Sequence, residues 1–159
     1  INTPDILPSL LNLADIEIPE SVEGEDLSDL IESADPDADR AGLIMNVCPF
    51  TSEYKYPEYR AIRTKQYTYA RTPDGAIKLF DNLQDPYQVN NLIDKREFDE
   101  IQKALDVKLK EELKKIGDDF KSRDYYLEKW NVELDDSRNA INYWDFKDGN
   151  GEVQSPNSE

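Results

Sequence analysis

The 159-residue chain reads as an α+β fold: a small antiparallel sheet of three to four strands packed against one long helix, with a short helix ahead of both. Three observations carry this reading. Aromatic and β-branched residues gather in short runs between Ala41 and Phe80, broken by a Thr72-Pro73-Asp74-Gly75 turn. From Asp94 onward the apolar residues recur at steps of three and four instead. A strongly acidic stretch separates both regions from a short leucine-rich opening.

The opening segment, Asn2 to Ala14, places Leu7, Leu10, Leu11 and Ala14 on one helical face, flanked by Ile6 and Leu13. Thr3 could cap this helix with Pro4 at its first position, or Asp5 could cap it with Pro8 in the first turn. Such a stripe needs a partner surface, and part of that partner is expected upstream of Ile1. Neither a starting Met nor a signal peptide opens the chain, so it is expected to continue in that direction.

Between Glu20 and Asp39 nine carboxylates meet no Lys or Arg until Arg40, which reads as a solvated linker. Ala41 to Val47 suits a buried strand that Pro49 stops. Tyr59 to Thr64 and Gln66 to Arg71 read as one bent strand or two, and Asp74-Gly75 turns the chain into Ile77 to Phe80. Asp94 and Glu97 have capping-box spacing. The stripe Phe98, Ile101, Leu105, Leu109, Leu113 and Ile116 then gives a helix of roughly six turns, ended by Lys114, Lys115 and Gly117. Tyr125, Tyr126, Trp130, Tyr143, Trp144 and Phe146 are expected to lie against the body, and Lys147 to Glu159 to be mobile unless a partner holds them.

Composition excludes several functions. With 35 Asp and Glu against 19 Lys and Arg, the formal charge of -16 repels phosphate backbones and anionic membrane surfaces, so neither nucleic acid nor membrane is an expected partner. No apolar run reaches the 18 or so residues of a membrane helix. Histidine is absent, which removes the usual general base and the commonest metal ligand. A single cysteine, Cys48, allows neither an internal disulfide nor a multi-cysteine zinc site, and it reads as core rather than nucleophile. Asp35, Asp37 and Asp39 alternate as in a calcium loop. However, Arg40 occupies the turn-glycine position and Asn46 that of the bidentate Glu, so a flexible acidic loop is the better reading. No catalytic residue and no metal ligand is assigned.

Arg60, Arg63, Lys65 and Arg71 form one basic cluster, and strand alternation puts Arg63 on the face opposite Arg60. Pairing with Glu53 or Glu58 is one role for it; helping to hold an anionic, sulfated substrate is the other, with Arg60 beside the Pro49 to Pro57 loop and Tyr59 next to it. Asp81 to Leu92 has a structural use available, because Asp and Asn side chains can fix a strand-to-helix turn.

Tyr59 to Tyr69 followed by Lys78 to Leu92 closely resembles the C-terminal signature of bacterial sulfatases, RxxRTxxYTY and then LYDxxxDPxxxxNL, with Phe80 in place of the Tyr. Asp5 to Ala14 is similar to the family's DxxPTLLxLAG helix, with Ser9 for Thr and Asp15 for Gly, and Leu109 to Trp130 looks like the tail of one sulfatase branch. The resemblance implies an alkaline-phosphatase-like parent enzyme whose N-terminal α/β domain binds calcium and carries a formylglycine nucleophile within Cys-x-Pro-Ser-Arg or its Ser counterpart. Cys48-Pro49-Phe50-Thr51 does not match that string. The resemblance further implies that residues 1–40 close the catalytic domain and link onward, that 41–120 form the sulfatase C-terminal subdomain, and that 121–159 extend it. The expected partners are the missing catalytic domain and a sulfated carbohydrate, in a periplasmic or secreted parent; the segment alone is expected to be inactive. A stand-alone glycan- or protein-binding module, and a fragment of a related phosphodiesterase or phosphonate hydrolase, are the alternatives.

Overall fold

The computed structural model describes residues 2–35, 38, 40–46 and 58–131. Four strands, β1 (Gly42–Asn46), β2 (Tyr59–Arg63), β3 (Tyr67–Thr72) and β4 (Gly75–Asp81), form an antiparallel meander in that spatial order. The stretch from Tyr59 to Arg71 is therefore two strands rather than one bent strand. A tight turn divides them, in which Thr64 N–H donates to the Tyr67 carbonyl (2.8 Å) and Tyr67 N–H to Thr64 Oγ1 (2.9 Å). The β3–β4 hairpin turns at Pro73 and Asp74, with Thr72 opposite Gly75.

Register places Ile62 opposite Tyr69 and Tyr69 opposite Leu79, all three buried on one sheet face. The helix α3 (Asp99–Lys115) lies over β2 and β3 and inserts Leu105, Leu109 and Leu113 among them, with Leu92 completing the core. Each such side chain contributes about 1.5–3 kcal/mol on burial. This is the two-layer α+β unit that the pattern predicts.

Several local expectations change. The helix does not start from an Asp94–Glu97 capping box: Asp94 sits at φ 62, outside helical geometry, and a 3₁₀ turn (Arg96–Phe98) leads in. The α-helix proper has 17 residues, fewer than the roughly six turns expected at about 3.6 per turn. Ile116 is 56% exposed because the helix has already ended. Gly117, at φ 67, closes it as a Schellman motif: Gly117 N–H donates to the Lys114 carbonyl (3.2 Å) and Asp118 N–H to that of Leu113 (2.9 Å). Among the described residues β1 is an edge strand, not a buried one; Ile44 and Met45 are exposed because there β1 pairs with β2 alone and α3 passes over the neighbouring strands.

At the N-terminus, α1 (Thr3–Leu13) is capped at Asn2, one residue before Thr3 and three before Asp5, the two expected caps, and Asp5 accepts the Asn2 N–H (2.9 Å). Most of the expected apolar stripe is exposed, Leu7 by 53% and Leu10 by 57%, with Leu11 half-buried, while Asp5, Pro8 and Ser9 are the buried residues. The acidic stretch is not a featureless linker. It crosses that polar face and forms a short helix, α2 (Ser28–Ser33), burying Leu27 and Ser28. Hydrogen bonds explain the docking: Glu25 N–H to Asp5 Oδ1 (3.0 Å), Leu27 N–H to Ser9 Oγ (2.9 Å) and Asn12 to Ser28 Oγ (2.7 Å). Arg40 bridges Asp5 and Glu25. Beyond α3 a fourth helix, α4 (Arg123–Lys129), is capped by Ser122 Oγ. Tyr126 approaches the body, whereas Trp130 is 55% exposed. Cys48, Asp37, Asp39, the aromatic residues Tyr143, Trp144 and Phe146, and the terminal segment 147–159 lie outside the described residues.

Candidate functional site

Strand alternation turns Arg60 toward α3, on the same face as Ile62, and there it is fully buried. A guanidinium cannot remain there without partners, and it has several. Nε and Nη2 donate to the two oxygens of Asp118 (2.5 and 3.3 Å), and Nη1 donates to the carbonyls of Asn46 (3.2 Å) and Tyr59 (3.1 Å). The Phe120 ring lies 4.6 Å from the guanidinium carbon. Asp118 also accepts the Phe120 N–H (2.7 Å) and faces the Tyr126 hydroxyl. Burial raises the Asp118 pKa, but the bonds from Arg60 and Phe120 outweigh it and hold the carboxyl below its ordinary range.

The cluster is thus a fork-to-carboxylate clasp across the ends of β1 and β2, with every guanidinium nitrogen donating. Its counter-ion is Asp118, a residue that sequence reading did not pair with Arg60; Glu58 instead accepts the Arg123 N–H (3.0 Å). The signal available beforehand was Gly117-Asp118-Asp119-Phe120, where a helix-ending glycine turns the chain back toward the sheet. Tyr59, half-buried, begins β2 opposite Asn46. Arg63 is on the other face, as alternation predicts, and donates to Thr68 Oγ1 (3.1 Å). Arg71 joins Lys110 on Asp106 of α3, which also accepts the Tyr69 hydroxyl (2.9 Å). Burial pushes the Tyr69 hydroxyl pKa up, and Asp106 adds to the shift.

The segment Asp81 to Leu92 performs the structural work available to it. Asp81 Oδ1 accepts the N–H groups of Leu83 (3.0 Å) and Gln84 (3.1 Å), and Asp85 Oδ2 accepts that of Asn90 (2.7 Å). The Asn91 side chain accepts from Leu79 N–H and donates to the Ile77 carbonyl, both at 2.9 Å, while Leu92 N–H reaches the Leu79 carbonyl. The outer edge of β4 is closed in this way.

Among the described residues no three carboxylate, cysteine or histidine side chains group to hold a metal ion. The donor set does not fit a calcium centre, and the clasp offers neither nucleophile nor acid–base pair. Its chemistry is to hold strand ends in place.

A four-stranded antiparallel meander backed by one helix, carrying this arginine at its second strand and an Asp/Asn-pinned turn after its fourth, defines the class: a two-layer α+β subdomain. The family model for N-sulphoglucosamine sulphohydrolase, C-terminal, matches residues 1–115, and the chain belongs to that family. It is 60% identical over 156 residues to the ulvan-active sulfatase of Formosa agariphila, a match that covers 98% of this chain and 30% of that protein. It is 30% identical over 116 residues to the endo-4-O-sulfatase of Bacteroides thetaiotaomicron, covering 58% of this chain and 21% of the relative. Among solved structures it resembles one in complex with its substrate D-glucosamine-2-N,6-O-disulfate, at TM-score 0.57 and 25% identity, covering 72% of this chain and 24% of that one. The chain therefore spans less than a third of the length of each of these proteins. Among the described residues no helix is long and apolar enough to cross a membrane.

Proposed function

We propose that this chain is the C-terminal subdomain of a sulfuric ester hydrolase that removes sulfate from glycans outside the cytoplasm or in the periplasm. The observation that carries the reading is the 60% identity to an ulvan-active sulfatase over 98% of the chain. Residues 1–40 are assigned to the end of the catalytic domain and its connection, 41–120 to the subdomain, and 121–159 to an extension. The α/β catalytic domain, with its calcium and formylglycine, is the partner against which the subdomain packs. The exposed leucines of α1 support that assignment, since an amphipathic helix with its apolar face in water lacks the surface that stabilises it.

Within this reading Tyr59 is the substrate-side residue of the subdomain. Arg60 serves the substrate indirectly: a sulfate could reach its donors only by displacing Asp118 and two carbonyls, so its contribution is to hold Tyr59 and the strand ends. The test compares the full-length protein with residues 1–159 alone, on ulvan and on an aryl sulfate. Sulfate release by the full-length protein, with none from the shorter chain, supports the proposal. Metal-dependent turnover by the shorter chain overturns it, and so does a full-length protein inert toward every sulfate ester.

A further inference from the structure

The chain after α3 does more than end the domain. Asp118 reaches Arg60, Phe120 covers the guanidinium, and Glu58 accepts the first helical N–H of α4. These three contacts converge on residues 58–60, and through Arg60 Nη1 they extend to the carbonyls of Asn46 and Tyr59. The ends of β1 and β2 flank residues 47–57, and Arg60 bonds to both of them. Asp118 lies just beyond residue 115, where the family match stops, while its partner Arg60 lies within it.

We propose that Asp118 is a positioning residue: acting through Arg60, it sets the ends of β1 and β2 and thereby the placement of Tyr59 toward a sulfated glycan. The inference rests on the proposed function for its substrate and on geometry alone for the strap. Asp118 touches no substrate in this scheme. It holds Arg60, whose two bonds to main-chain carbonyls fix where each strand stops. A polymeric substrate that extends past the sulfate being removed would feel the change, and a small aryl sulfate would not.

The experiment uses the full-length protein containing this chain and two variants, Asp118→Asn and the double variant Arg60→Met with Asp118→Leu. The double variant replaces a buried ion pair with apolar side chains of similar volume, an exchange that is often neutral for stability. It also deletes the bonds to Asn46 and Tyr59. Both variants are expected to raise KM for ulvan by about threefold or more while kcat stays within about twofold, with KM for p-nitrophenyl sulfate unchanged. Amide exchange at residues 43–46 and 59–62 should quicken by about tenfold relative to residues 67–81.

A double variant that melts like the wild type and also regains its KM makes the pair merely structural and overturns the proposal. Equal exchange at both strand pairs overturns it too. If the full-length protein releases no sulfate, the proposed function fails, and amide exchange alone then decides the strap. Should Asp118→Asn not fold, the double variant supplies both readouts.

Discussion

Arg60 and Asp118, 58 positions apart in the chain, meet as an ion pair in which the arginine is wholly shielded from water and the carboxylate side chain is 9% exposed. Such pairs are asymmetric in their energetics. Forming one gains little over an apolar pair, but removing one partner strands the other charge in a medium that cannot solvate it. Asp118→Ala is therefore expected to destabilise the chain by about 3–5 kcal/mol, seen as a lower urea midpoint at constant m-value. A loss under about 1 kcal/mol would mean that water reaches Arg60 and that the clasp is looser than its geometry.

The core gives a second, independent measure. Leu109 is fully buried at the centre of the α3 stripe, between Leu105 and Leu113. Leu109→Ala should cost about 2–5 kcal/mol through lost transfer energy and the cavity left behind. Val107, on the solvent side of the same helix and 55% exposed, should tolerate alanine within about 0.5 kcal/mol. Thermal melts of the two variants check the orientation of the helix, and equal losses would contradict it.

Gly24 tests the docking of the acidic segment. It has φ 104, and a Cβ placed on it would lie 2.3 Å from the Pro4 carbonyl oxygen, a backbone atom that cannot move aside without shifting α1. Gly75, at φ 149, has open space around its Cβ position. Gly24→Ala should therefore lower the melting temperature more than Gly75→Ala. It should also expose the N–H of Leu27, now bonded to Ser9, to faster exchange. The reverse order of the two variants would show that segment 20–28 does not rest on α1.

Acid should weaken the fold in a defined window. Burial raises the pKa of Asp5, Asp106 and Asp118, yet hydrogen bonds and cations outweigh it in each, leaving all three below the ordinary carboxylate value of 3.8. Depressed folded-state values mean that this stability is fully present above the unfolded pKa and is lost as pH falls through the lower folded ones. Melting temperature should accordingly be insensitive to these groups from neutrality down to about pH 5 and fall below about pH 4. Asp118→Asn, already lacking one of the three, should show a shallower acid limb in the same titration.

The leucines of α1 separate the chain from its larger context. In residues 1–159 alone, Leu10→Ser should change stability by no more than about 0.5 kcal/mol, since that side chain is mostly in water. In the full-length protein the same substitution should lower the melting temperature by several degrees, because the proposed catalytic domain covers that face. Equal and small effects in both would remove the support that α1 lends to the packing proposal.

The sequence by itself determined the class and the core. Leu105, Leu109 and Leu113 recur at helical spacing, and the runs Tyr59 to Arg71 and Ile77 to Phe80 carry β-branched and aromatic residues around an Asp-Gly turn; these are local periodicities, set by bond geometry, and they needed no knowledge of contacts. The Asp81 to Leu92 turn was legible for the same reason, since its side chains bond to backbone a few residues away. Tertiary structure alone decided which charge answers Arg60, that β1 lies at an edge, and that an acidic run folds back on the polar side of α1. Each depends on groups distant in the chain, and pairing over such distances is chosen by the shape and burial of the whole, which no local pattern encodes. A buried guanidinium accepts whichever carboxylate the fold delivers to it, and here the Gly117 turn delivers Asp118.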